Sequence, residues 1–420
     1  MTFRRTLSDP RQRARLALFA GIAGGLLTAV FFALFRPNPP TTFNVFYFAA
    51  QKSMSGPIAY ETGYGLWTYT PAALLYFYPY ALLFDYPTAL VVHRVLSAVV
   101  TVGYAVALVR FLGDHIDLQR LDRVAVFGFA TLSVYPVVNV INGSFVGIFA
   151  TFLGMGWLLV ESDRDGGGAL WALASIVKGY PAFWGIYLLR VRRWRAVGAA
   201  ILTGVSATLL GVLVFGFQEY VRFFTVAGTD RVRYHKFAGG RSPDNEAVTP
   251  LRALGQLFPD VDPAVWTPVI LVVVVCITLV VYYLIPGESL NDRATLLLVT
   301  ILGVWFVMPT SQDLDVYILY APLLVLLYVE RERQVQSLYA LGTVVLSYNF
   351  GRTELRAVSE MVGIADAVML VGEPVLRFAT MPMYGLVALY VGCLVKARIR
   401  GRESTRTARL RARAGDLFSG

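Results

Sequence analysis

Lys178 lies in the apolar run Ser175–Pro181, SIVKGYP. A charge at mid-membrane costs ~2.5–3.5 kcal/mol on insertion scales, so its ammonium should face a cavity or a partner. There it would be a point-charge partner for a phosphate. The competing reading is a snorkelling lysine at a kink made by Pro181. A second group is Arg231, Arg233, His235, Lys236 and Arg241, spread over DRVRYHK and the start of RSPDNE with aromatics on either side. It suits an anionic headgroup at a membrane surface, or it is a solvated loop balanced by Asp230, Asp244 and Glu246. The third is PTSQDLDVY, where Asp313 and Asp315 could cap a helix, act as a general base or ligate a divalent cation. The fourth is Thr41–Pro71, dense in aromatics but carrying Asn44, Gln51, Lys52 and Glu61. It is too polar to span a bilayer and too apolar for a free linker. Asp85, in FDYP, falls in a short turn on the inner side and is discounted.

The elements that must position these groups are apolar helices. The chain has 420 residues, 56% hydrophobic and only 15% charged, against roughly 25% in soluble domains. The expectation is an all-α polytopic membrane protein of about 12 transmembrane helices. The segments are Leu16–Phe35, Thr70–Phe84, Thr88–Leu112, Val124–Val140, Ser144–Val160, Ala169–Leu189, Ala196–Phe217, Pro263–Ile285, Ala294–Met308, Val316–Val329, Val335–Phe350 and Phe378–Val395. Their continuous apolar runs exclude a β-barrel, whose strands alternate in polarity. Residues 1–15 form a basic N-terminus, 16–395 a single bundle and 396–420 a basic tail.

Net charge is +10, and Arg-rich ends supply most of the excess. Beside membrane spans such ends set orientation and touch anionic lipid, rather than nucleic acid. Both termini are expected in the cytoplasm of a multi-pass plasma-membrane protein. That threading puts Arg190–Arg195 inside. It puts Glu161–Gly168 outside, with the larger loops 36–69, 218–262, 309–315 and 351–377. The first of these is expected to contain a short surface helix. Cys276, Cys393 and the three histidines show no metal-ligand spacing.

Four pieces then carry a resemblance. They are Val45-Phe46-Tyr47 with Ala49-Ala50, Gly56, Tyr60 and Tyr69-Thr70-Pro71; Asn142-Gly143; Lys178-Gly179-Tyr180-Pro181 followed by Arg192-Arg193-Trp194-Arg195; and Asn245-Glu246 ahead of Leu251. In this order and spacing the chain resembles glycosyltransferase family 87, the polyprenyl-phosphate-mannose-dependent transferases of the membrane C-type superfold. The resemblance implies transfer of a hexose, with inversion, from a polyprenyl- or dolichyl-phosphate carrier to a glycan or glycolipid acceptor at the outer face. Tyr69, Lys178, Arg231, Arg233, His235, Lys236 and Asn245 would bind donor and phosphate. The family's first-loop Asp aligns with Thr42, or in a second alignment with Asn44, and neither side chain is a base. Glu61, Asp313 or Asp315 would then deprotonate the acceptor, with a divalent cation as an optional helper. Two other readings stay open. A non-catalytic subunit of envelope glycan assembly fits the missing Asp. A transporter of lipid-linked sugars would want polar residues through both membrane halves, where this chain offers mainly Lys178 and His93.

Overall fold

The structure, a computed structural model, describes residues 9–35, 41–58, 60–62, 65–67, 69–227, 248–308, 313–349, 351–352, 355–356, 359–360, 363 and 365–418. In chain order the helices are α1 (Pro10–Phe35), α2 (Phe43–Ser53), α3 (Leu74–Leu83), α4 (Tyr86–His115), α5 (Arg120–Leu132), α6 (Val134–Ile141), α7 (Val146–Glu161), α8 (Gly166–Val177), α9 (Gly185–Arg190), α10 (Trp194–Phe215), α11 (Phe217–Arg222), α12 (Pro250–Leu257), α13 (Pro263–Leu284), α14 (Leu290–Val307), α15 (Tyr320–Val329), α16 (Arg333–Leu346), α17 (Ala365–Phe378) and α18 (Met381–Phe418). A two-residue ladder pairs Glu61 with Leu66 and Thr62 with Gly65. Short 3-10 turns precede α3, α9 and α15, at Pro71–Ala73, Tyr180–Trp184 and Asp313–Leu319.

Among the described residues seven helices are long and apolar enough to cross a membrane, α1, α4, α5 with α6, α10, α13, α14 and the first part of α18. Four apolar helical stretches are shorter: Pro71–Leu83, Val146–Glu161, Gly166–Val177 and Leu314–Val329. All twelve segments expected from sequence are therefore helical in whole or part. Polar contacts fix the direction of several. At one end Arg15 pairs with Asp122, Arg13 bonds Gln336, Glu161 pairs with Arg293, and Lys396 pairs with Glu330. We call this the basic end, because it gathers the starts of α1, α5, α14 and α16 with the ends of α7 and α15. At the opposite, loop end, the Thr42 N–H bonds the Asn142 carbonyl and Tyr86 stacks on Phe48.

Two expected spans do not run from end to end. The loop Glu161–Gly168 and the run Arg190–Arg195, expected on opposite faces, are ion-paired: Arg193 with Asp163, and Arg195 with Asp165 at 4.0 Å. The segment 166–190 therefore enters from the basic end and returns to it. The cause is local. Pro181 has no N–H, and its ring would strike the carbonyl of Val177, so α8 stops. Lys178 is extended there, at φ −122° and ψ 104°, instead of lying inside a helix. Twelve residues of α8 reach only about 18 Å, short of the ~30 Å hydrocarbon core. Tyr187 on the return leg donates to Glu161 Oε1 at 2.6 Å. At the entrance, a Cβ on Gly168 would run into the Ala196 carbonyl, so only glycine lets α8 lie against α10.

The segment Thr70–Phe84 behaves the same way from the loop end. It leaves α2 and comes back beside it, since Phe46 stacks on Phe77 at 4.7 Å and Phe43 meets Tyr80 at 5.4 Å. Asp85 consequently sits at the loop end rather than in an inner turn, and its carboxylate caps α4 by accepting the Thr88 N–H at 3.2 Å. Helix α2 is the short helix expected in the first loop, but it buries one face, Phe43, Phe46, Tyr47, Ala49 and Ala50. One expected single helix is broken: α5 and α6 part at Ser133, three residues before Pro136. There the Ser133 hydroxyl bonds the Phe129 carbonyl and Tyr320 Oη, at 2.5 and 2.7 Å.

Candidate active site

The two half-depth hairpins meet. Thr70 Oγ1 donates to the Ile176 carbonyl at 2.5 Å, joining the first loop to the last turn of α8. Two residues on, Lys178 Nζ lies 2.5 Å from Asp315 Oδ1 and 5.7 Å from the Phe149 ring centroid. The Lys178 side chain keeps 12% exposure and that of Asp315 5%. Backbone that breaks from helix at membrane depth is tolerated where it is buried in protein or lines a polar cavity. The ion pair at the tip meets the separate demand that a buried charge be paired.

Further bonds tie this tip to the rest of the loop end. Asn139 Nδ2, near the end of α6, reaches the Leu314 carbonyl at 3.4 Å, next to Asp315. Asn142, just beyond α6, takes the Thr42 N–H at 3.1 Å. Gly143 then turns the chain into α7 at φ +59°, where a Cβ would come within 2.7 Å of Leu90 Cδ1 and 3.2 Å of Phe43 Cβ. The first loop, the Asn142-Gly143 turn, the Lys178 tip and the Asp313–Leu319 turn thus form one hydrogen-bonded belt. Aromatics floor it: Tyr69 lies 5.2 Å from Phe46 and 5.1 Å from Trp67, and Tyr76 lies 4.6 Å from Phe145.

The residues expected to act divide as follows. Lys178 and Asp315, expected separately as phosphate partner and as cap, metal ligand or base, are one pair. Among the described residues the Asp315 carboxylate bonds Lys178 and no backbone N–H, so it caps no helix there. Thr42 is exposed and Asn44 half-buried, with its carboxamide oxygen taking the Val45 N–H at 2.7 Å. Tyr69 is half-buried on the belt. Glu61 lies in the short ladder and Asp313 opens its 3-10 turn; the side chains of both fall outside the described residues. Arg231, Arg233, His235, Lys236 and Asn245 lie wholly outside them. Among the described residues no group of three or more His, Cys, Asp or Glu could hold a metal ion.

Two groups escaped the sequence reading. Glu219 and Arg222 pair at 2.8 Å beside the first loop, and Tyr60 Oη donates to the Glu219 carbonyl at 2.8 Å. Burial, with the Glu219 carboxylate nearby, pushes the Tyr60 phenol up, so it stays a donor. Arg94 is the other. It stands in the apolar α4, and the insertion cost that singled out Lys178 marks it equally.

Thr70→Val is expected to cost about 1 kcal/mol of stability, the worth of one hydrogen bond. Thermal unfolding in detergent checks it. An unchanged midpoint would mean the two hairpins are held together by packing alone.

The profile of glycosyltransferase family 87 matches residues 67–309, which include Tyr69, Asn142, Lys178 and Asn245 and stop short of Asp313 and Asp315. No curated protein and no solved structure gives a match. A match over more than half of the chain means that the chain belongs to glycosyltransferase family 87.

Proposed function

We propose that this glycosyltransferase is an integral-membrane enzyme that moves a hexose, with mannose the first choice, from a polyprenyl- or dolichyl-phosphate carrier to a glycan or glycolipid acceptor. The observation that carries this reading is the Lys178–Asp315 pair at the meeting point of two half-depth hairpins. An inverting transfer needs a carboxylate for the acceptor and a cation for the departing phosphate, and the pair supplies both within one contact. The bundle is read as a C-type fold. Its loop end is read as the outer face of the plasma membrane and its basic end as cytoplasmic, by the positive-inside rule.

In this mechanism the carrier phosphate takes over the Lys178 ammonium and frees Asp315. Asp315 accepts the proton of an acceptor hydroxyl. The hydroxyl oxygen bonds the anomeric carbon, and the bond from that carbon to the phosphate oxygen breaks. The polyprenyl phosphate leaves with the electron pair, held by Lys178 and by the loop residues Arg231, Arg233, His235 and Lys236. Asn245 and Tyr69 line the donor side. Glu61 and Asp313 remain the alternative bases.

The test is incubation of purified protein with labelled polyprenyl-phosphate mannose and a native lipid extract. Label on a glycolipid is the expected result. Donor binding without transfer to any acceptor would favour the non-catalytic reading, which rests on Thr42 and Asn44 standing where an acid is expected. Movement of unaltered lipid across proteoliposomes would favour a transporter.

A further inference from the structure

Arg94 spends one donor on the fold: its Nη2 bonds the Ile141 carbonyl at 2.5 Å, closing the end of α6. Its Nε is buried and has no hydrogen-bond partner among the described residues. The next residue in α6's exit, Asn142, gives its backbone carbonyl to Thr42, while its Oδ1 is buried and equally without a partner. One unmatched charged donor and one unmatched acceptor therefore flank the same peptide. A hydroxyl can accept from the first and donate to the second at once, whereas a phosphate could satisfy only the arginine.

The place fits the chemistry. Phe43 and His93, stacked at 4.6 Å, form a wall beside Gly143. Through Asn139 and Leu314 the same helix end is joined to Asp315. Both rings are fully buried against each other, so they hold the backbone of this turn in place behind the two polar groups. We propose that Arg94 and Asn142 form a subsite for a sugar hydroxyl next to the Lys178–Asp315 pair, an inference that rests on the transferase reading above. The hydroxyl belongs either to the donor hexose or to the acceptor sugar.

Two variants test it in the full-length protein in nanodiscs. Asn142→Ala removes the acceptor and leaves Arg94 in place. Arg94→Lys keeps a cation for the Ile141 carbonyl but drops the Nε donor. The probes are polyprenyl-phosphate mannose, bare polyprenyl phosphate, and the native lipid extract as acceptor. If the hydroxyl is the donor's, both variants weaken polyprenyl-phosphate mannose about tenfold, the effect of one lost buried bond, and leave bare polyprenyl phosphate unchanged. If it is the acceptor's, both raise the acceptor KM about tenfold with donor affinities unchanged. Either pattern supports the subsite. Equal weakening of both carriers, or no change in any of the three, overturns it. A wild-type protein that binds neither carrier overturns the transferase reading itself.

Discussion

Asp315→Asn is expected to lower hexose transfer by roughly 100- to 10,000-fold, the usual contribution of a positioned acid–base group. The partner variant separates chemistry from scaffolding. Lys178→Ala leaves the Asp315 carboxylate, with 5% side-chain exposure, without its cation. Breaking a buried pair in this way costs about 3–5 kcal/mol. Removing both charges in Lys178→Ala/Asp315→Ala should restore most of that stability, because no uncompensated charge is left. Activity should stay lost, because the proposed base and the proposed phosphate partner are both gone. Thermal unfolding in detergent and the transfer assay, run on the same four proteins, check it. A double variant that regained activity along with stability would reduce the pair to a structural one.

Arg293→Ala is expected to have the second large effect, at a site far from the chemistry. Arg293 Nε lies 2.7 Å from Glu161 Oε2, and the Glu161 side chain is fully buried. Tyr187 donates to the same carboxylate and also accepts the Trp157 indole N–H at 2.9 Å. This cluster pins the return leg of the 166–190 hairpin to α7 and α14. Without Arg293 the buried carboxylate should cost about 3–5 kcal/mol, read as a fall in the unfolding midpoint. Glu161→Gln added to Arg293→Ala should recover most of it, since the amide is neutral and still accepts from Tyr187. Failure of that rescue would show that Arg293 matters through packing rather than charge. Transfer should fall along with stability in the single variant, because the hairpin that loosens is the one that carries Lys178 at its tip.

Much of this architecture was legible in the sequence. Every apolar run expected as helix is helical in whole or part, since a continuous hydrophobic stretch reports burial whatever surrounds it. Direction was harder to read. A hairpin buried in protein is as apolar as a crossing, so 166–190 and 70–84 pass for spans by hydropathy alone. Pro181 and the short reach of α8 carried the hint, and the ion pair between Arg193 and Asp163 decided it. Lys178 and Asp315 were each visible as charges out of place, but they stand 137 residues apart. Only the fold could show that these two charges are one pair. Arg94 carries the same insertion cost in an apolar helix.

The most direct measurement is a structure of the full chain with polyprenyl phosphate bound. The expected result is a phosphate oxygen about 2.7–2.9 Å from Lys178 Nζ, the range of a charge-assisted bond, with Asp315 released from the pair and turned toward the first loop. Phosphate bound elsewhere, with the Lys178–Asp315 contact closed, would contradict it.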